Sequence, residues 1–431
     1  MELVLTRSQY VRWRTAVFAI FLASGLSIAT WASRVPAIKV TLDVDNIQIG
    51  LMLLGAGIAS IVGLSLSSVV LARFGARKGM LVAMLVFAAG VAIIGVGTDV
   101  LQSFVVVVAG LVLFGLGNGA VDVMMNVEGA AIEKQSSKTI LPLFHGFFSF
   151  GTVIGAGIGA AAAGWHINVL VHTAVMAVVI VGIAFATYAN VPETEITGDT
   201  VPTPPPGAAG ASPGASGRVG PAAADKAHWR ERLHTSLSAW REPRTYALGV
   251  IMLGMAFAEG GANDWLALGM VEGHGATPAI GALGLTVFSV SMTVVRVFGG
   301  PLVDRFGRVN TLRALSVLAA GGLLLFILAP SIPLVFVGAA LWGAGVSLGF
   351  PLGMSAAADD PAKAAARVSA AATIGYISFL CGPPILGFIS EQIGLLNTLY
   401  ILVALAVASG LASSAAKPIA GSTVGAGHTH H

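Results

Sequence analysis

Uninterrupted apolar runs, each long enough to cross a bilayer and separated by short polar clusters, dominate the pattern along this chain. A hydrocarbon core takes roughly 20 apolar residues per helix. The runs predict helical spans near 15–33, 47–71, 79–97, 101–129, 139–164, 167–190, 245–270, 277–303, 311–329, 333–356, 365–390 and 395–414. They fall as six, an interruption, then six. The expected fold class is an all-α membrane protein with twelve transmembrane helices in two six-helix bundles. Arg7, Arg12 and Arg14 precede the first run. That run is long enough to be a first membrane helix, and we read it so rather than as a cleavable signal.

The interruption divides the chain into a first bundle at 1–191, a linker at 192–243, a second bundle at 244–415 and a tail at 416–431. Pro-Thr-Pro-Pro-Pro at 202–206, followed by Gly, Ala and Ser, cannot bury a core. A basic stretch follows, with Lys226, Arg230, Arg232, Arg241 and Arg244. It is either a solvated linker or a short surface helix with Trp229 and Trp240 at the headgroups.

Composition sharpens the class. Of 431 residues, 56% are hydrophobic and 10% charged, against about 25% charged in a typical soluble domain. With a mean hydropathy of +0.87, an ordinary soluble fold is excluded. The 55 glycines suit a membrane, where small residues let helix backbones approach. Cys381 stands alone, so no intrachain disulfide forms. With the N-terminus in the cytoplasm, Arg73, Arg77, Lys78, Lys134, Lys138, the basic linker, Arg305, Arg308, Arg313, Lys363, Arg367 and Lys417 all lie inside, against Arg34 and Lys39 outside. The expected setting is a bacterial cytoplasmic membrane, with both termini cytoplasmic and the lipid bilayer as a partner. No metal-ligand cluster, phosphate loop or nucleophile triad is written in the chain. We therefore expect no enzyme activity, no cofactor, no metal and no nucleic-acid partner. His428, His430 and His431 are a tag remnant or a natural tail.

Arg-Phe-Gly occurs at 73–75 and again at 305–307, 232 residues apart, each time after the second span of its half. This marks a parallel repeat. The second copy reads Gly300-Pro-Leu-Val-Asp304-Arg305-Phe-Gly307-Arg308. It resembles the conserved loop motif of the major facilitator superfamily. In the first copy Ser68 replaces the leading glycine and Ala72 the acid. The resemblance covers essentially the whole chain. It implies alternating access around a central cavity lined by helices 1, 4, 7 and 10. It also implies a cytoplasmic gate at Asp304, Arg305 and Arg308. An acid at a helix C-terminus faces the unfavourable pole of the dipole, so Asp304 needs a base or a neighbouring helix N-terminus. Arg73 and Arg77 join this gate or simply anchor the inner surface. Arg296 joins it or snorkels. The protein is expected to act as a monomer.

Ionisable groups at membrane depth usually face a cavity or a partner. Asn118, Asp122 and Asn126 share one face of the fourth helix. Asp122 can take and release a proton, and is the first candidate for proton coupling. Glu128 is expected against Arg73 or Arg77. In the seventh helix Glu259 and Asn263 share a face, and Gly260 and Gly261 are expected to loosen it. Glu259 is a second coupling candidate. Asp264 is expected to pair with Arg34, as an outer gate or a grip for an anion. His145 can titrate near neutral pH and is a third coupling candidate. Trp31, Trp265, Phe147 and Tyr376 are candidate stacking surfaces for a ligand.

An acid four residues before an asparagine in helix 4 resembles the fucose-type sugar–proton symporters of the superfamily, though Ala32 stands where those carry an acid. Trp31-Ala-Ser-Arg-Val-Pro36, Glu259-Gly-Gly-Ala-Asn-Asp-Trp265 and Gly375-Tyr-Ile-Ser-Phe-Leu-Cys-Gly-Pro-Pro384 resemble its bacterial YbjJ-like branch. The preferred reading is proton-coupled uptake of a sugar-like or other small polar solute. Drug–proton antiport is the competitor. Its fifth-helix glycine ladder is partly matched by Gly146, Gly155, Gly159 and Gly164, with Ala160 and Ala163 departing from it. Uncoupled passage, and a receptor or scaffold on the same fold, stay open.

Overall fold

The computed structural model describes residues 6–136, 140–192, 239–360 and 363–419. The linker basic residues Lys226, Arg230 and Arg232, together with Trp229, Lys138 and the terminal histidines, lie outside these. So do the side chains of Lys134 and Tyr376. The described residues are helical, with no strand among them. The first bundle comprises α1 (Arg7–Ala32), α2 (Val35–Leu42), α3 (Asn46–Gly95), α4 (Phe104–Ser136), α5 (Leu141–Gly164) and α6 (Val169–Tyr188). The second comprises α7 (Pro243–His274), α8 (Pro278–Phe298), α9 (Gly300–Leu328), α10 (Ile332–Val346), α11 (Gly349–Ala357), α12 (Ala364–Ile393), α13 (Leu395–Thr398) and α14 (Tyr400–Ala412). Local chemistry sets several starts. Thr6 with Gln9, and Asp45 with Gln48, form capping boxes on α1 and α3. Asn168 and Thr277 cap α6 and α8.

Eleven described helices are long and apolar enough to cross a membrane. One of them crosses twice. At about 1.5 Å per residue, the 50 residues of α3 far exceed a bilayer core of about 30 Å. Gly75 turns the chain there with φ 74°, ψ 166°. Gly307 does the same within α9, at φ 74°, ψ 159°. These are the glycines of the two Arg-Phe-Gly copies, and both adopt backbone angles that L-residues with a Cβ rarely reach. The limbs 46–74 and 76–95 are separate crossings, which makes twelve. The crossings alternate, so both ends of the described chain emerge on one face, here the termini side. The other face is the far side.

A second repeat emerges from packing. Gly90 on α3 meets Gly110 on α4, and Gly322 on α9 meets Gly338 on α10. A Cβ on Gly90 would stand 2.6 Å from the Gly110 carbonyl oxygen, and one on Gly322 would stand 2.9 Å from that of Gly338. Contacts that close require glycine on both sides of each crossing. Gly260 and Gly261, expected to loosen their helix, lie instead in regular helix. A Cβ on Gly261 would stand 2.8 Å from Leu402 of α14, so this glycine serves close packing.

The halves meet along two seams. On one, Gly50 of α3 lies against Pro383 and Pro384 of α12, and Gly57 lies against Phe379 and Leu380. On the other, Gly157 and Gly164 of α5 face Thr286 and Ala279 of α8. Gly387 of α12 also lies against Asn46. Among the described residues, every glycine contact between the bundles falls toward the far side of these seams.

Candidate functional site

The polar stripe of α4 binds into the first bundle. Asn118 accepts from Ser24 Oγ of α1 at 2.6 Å. Asn126 is buried and donates to the Asp122 carbonyl at 2.8 Å, with a longer 3.4 Å approach to its Oδ1. Asp122 is half-buried and, among the described residues, has no cationic partner. Glu128 does not reach the loop bases. It is buried and accepts from the Trp13 indole at 2.7 Å, because it lies on the face of α4 turned to α1. Arg77 instead donates to the Tyr188 carbonyl at 2.8 Å and lies 4.4 Å over that ring. Arg73 is exposed beside Phe74.

Across the cleft, Glu259 of α7 is ion-paired with Arg296 of α8. Both carboxylate oxygens accept from Nη2, at 2.8 and 2.7 Å. Arg296 Nε donates to the Ser347 carbonyl at 3.0 Å. That carbonyl lies at the break between α10 and α11, where the expected single span is interrupted. Arg296 Nη1 reaches Ser149 of α5, in the other bundle, at 3.5 Å. Arg296 thus neither joins a loop gate nor snorkels; it ties α7, α8 and the α10–α11 break together. The sequence contained the signal, since an arginine at membrane depth demands an anion. Asn263 and Asp264 are half-buried and without a hydrogen-bond or ion-pair partner among the described residues.

The aromatic candidates divide. Trp265 is fully buried, and Trp31 is buried edge-on against Phe114. Their indole N–H groups are buried with no hydrogen-bond partner among the described residues. His145 is exposed beside the edge of Phe21, and Phe147 leans on Phe18. Tyr376 lies on α12, but its side chain is outside the described set.

On the far side, Arg34 does not pair with Asp264. It is buried in the first bundle, and its Nη2 donates to the Ile167 carbonyl at 2.6 Å. Asp99 and His166 join it in lining a cavity of about 240 Å³. Inter-bundle polar contact falls to residues the sequence did not single out. Lys39 of α2 is ion-paired with Glu272 at the end of α7 and donates to Asn46. The backbone N–H of Asn46 donates to Glu391 of α12 at 2.6 Å. On the termini side, Asp304 and Arg305 are exposed, and Asp304 has no ion-pair partner among the described residues. Arg308 instead bonds both oxygens of Asp359 at 2.8 Å, and Arg244 joins at 3.0 Å. Glu242 bonds Lys363 and Arg367. These pairs all lie within the second bundle.

Twelve crossings in two related bundles, with charged groups at mid-depth between them, define a membrane transporter of the secondary type. The sequence profile described as Major Facilitator Superfamily matches residues 16–275 and 248–420. An uncharacterised MFS-type transporter of Yersinia pestis is 30% identical over 413 residues, covering 95% of this chain and 96% of its own length. The membrane protein MosC of Rhizobium meliloti is 24% identical, covering 93% and 89%. The chain belongs to the major facilitator superfamily. Its fold is similar to that of the nucleoside transporter NupG, with a TM-score of 0.69, 13% identity and 95% and 98% coverage. It is similar also to the E. coli fucose:proton symporter FucP, with a TM-score of 0.60, 15% identity and 96% and 100% coverage. A bacterial homologue of the human lysosomal transporter Spinster, inward-facing and unoccupied, gives a TM-score of 0.66 at 14% identity, with 95% and 98% coverage.

Proposed function

We propose that the protein takes up a small polar solute across the bacterial cytoplasmic membrane by alternating access, coupled to protons. The termini side is cytoplasmic, as the distribution of Lys and Arg supports. The observation that carries the reading is a carboxyl group at membrane depth in each bundle, Asp122 on α4 and Glu259 on α7. Asp122 lacks a counter-ion among the described residues, and Glu259 has one that a proton can release. Rocking of one bundle on the other presents both to each side in turn.

Uptake is favoured over drug antiport. Two of the fifth-helix glycines that suggested antiport are taken up by packing. A Cβ on Gly155 would stand 2.7 Å from the Leu26 carbonyl oxygen of α1, and one on Gly159 would collide with Ser33, whereas Gly146 has open space beside it. The fold is shared with a nucleoside transporter and a fucose:proton symporter, which agrees with a polar solute.

The test uses proteoliposomes with a trapped pH dye. External addition of a transported solute should acidify the lumen in the wild type. Asp122→Asn should abolish this acidification while solute counterflow persists. Full proton flux in that variant removes Asp122 from the coupling, and lumenal alkalinisation by the solute means antiport.

A further inference from the structure

Resting on the transport reading, we propose that the solute is an anion bearing a carboxylate, bound at Arg296 in exchange for Glu259. The Arg296 guanidinium has five N–H groups and no acceptor. Nε is held by the Ser347 carbonyl, and Nη2 is taken by both oxygens of Glu259. Nη1 has one long contact, 3.5 Å to Ser149 Oγ. The group is therefore oriented by the α10–α11 break, neutralised by Glu259, and under-used on the side that faces the first bundle.

The surroundings of that free side are donors. Ser149 and His145 are four residues apart on α5 and share a face. His145 is exposed and within coulombic reach of Arg296. Of the other ionisable groups on the elements packed against the pair, Arg244, Tyr246, Asp264, Glu272 and His274 lie elsewhere along α7, and Arg367, Tyr376, Cys381 and Glu391 are spaced along α12. Neither α10 nor α11 carries any. The pair is also accessible, with the side chains of Arg296 and Glu259 23% and 15% exposed at membrane depth.

Charge balance dictates the order of events. With Glu259 ionised, the charge of the guanidinium is neutralised, although Nη1 keeps only its long contact to Ser149. A proton on Glu259 removes the counter-ion and leaves a cation at a depth where an unpaired charge is costly. A solute carboxylate restores neutrality, accepting from Arg296 Nη1 and Nη2. The proton stays on Glu259 until the solute leaves, so the site gains one proton and one anion together. A carboxylate held also by Ser149 and His145 would bridge the bundles. A neutral sugar cannot make this exchange, because it brings no charge.

The experiment measures binding of gluconate and of acetate to the full chain in nanodiscs, by thermal shift and calorimetry, at about pH 5.5 and about pH 7.5. Binding of the anion takes up one proton, so wild type should bind more tightly at the lower pH, by at most about tenfold per pH unit. Glu259→Gln should bind equally at both, and Arg296→Gln at neither. Equal binding by the two variants, or binding of neither probe by any protein, overturns the proposal. Should a single substitution leave an unpaired charge and prevent folding, the double variant Glu259→Gln/Arg296→Gln removes both charges and must not bind. The pH dependence of wild type then decides. Flux of an uncharged solute without carboxylate binding sinks the anion assignment alone, whereas carboxylate binding without flux sinks the transport reading alone.

Discussion

A single indole holds one of the most buried acids in the first bundle. Trp13 Nε1 donates to Glu128 at 2.7 Å, and neither side chain is exposed. Trp13→Phe keeps most of the packing but leaves the carboxyl without its donor. An unmade buried hydrogen bond costs about 1–3 kcal/mol, and a thermal midpoint in detergent should fall accordingly. Trp13→Phe combined with Glu128→Leu should recover part of the loss. A different logic applies to Glu242, just outside the membrane span. Hydrogen bonds from Arg367 and Lys363 hold its carboxyl below the ordinary glutamate range. A lowered folded-state value contributes stability above that range and loses it as pH falls through the lowered value. Glu242→Gln should therefore be less stable than wild type at neutral pH, and the two melting curves should converge on acidification. A gap that persists in acid would mean that Glu242 acts through packing and not charge.

Among the elements, the positive-φ glycines and the crossing glycines do different work. Gly75 and Gly307 turn the chain between successive crossings. Gly307 has open space around it, so Gly307→Ala meets only backbone strain, and a residue held in that glycine-only region costs about 1–3 kcal/mol. A modest fall in melting temperature with intact expression is the expected result. Gly322 differs, because its Cβ would meet the backbone of α10. Gly322→Val should separate α9 from α10 and give a poorly folded, aggregating protein on size-exclusion chromatography. Equal behaviour of the two variants would show that the crossing tolerates displacement. The 232-residue offset joins both classes, since it separates Gly75 from Gly307 and Gly90 from Gly322. The first pair was legible because it lies in a polar motif. The second is hidden among many glycines, and only the helix crossing singles it out.

The whole molecule is closed by different chemistry at its two faces. Far-side closure uses residues from both bundles, Lys39 with Glu272 and Asn46 with Glu391. The termini-side ion pairs named above lie within one bundle. Cysteines introduced at Lys39 and Glu272 and bridged by a short bis-methanethiosulfonate should arrest flux, with recovery on reduction. Unimpaired flux in the cross-linked protein would mean that the far side need not open.

Hydropathy alone determined the all-helical class, the twelve crossings and the division into halves, because a bilayer makes span length a direct function of apolar run length. The Arg-Phe-Gly repeat added the parallel relation of the bundles, and the loop motif the family. Periodicity also placed Asn118, Asp122 and Asn126 on one face, since helical spacing needs no neighbour to define it. Partnerships between helices were another matter. Glu128 was expected on Arg73 or Arg77 and lies on Trp13; Asp264 was expected on Arg34, which instead reaches Ile167. Trp31 and Trp265 were open to either ligand stacking or packing, and both are buried. Each of these outcomes depends on how far a helix is rotated about its axis against another. That rotation is set by side-chain packing over the whole interface, not by any local run of residues. The Glu259–Arg296 pair belongs to the same class, because two charges 37 residues apart on adjacent helices meet only once the tertiary structure has fixed both faces.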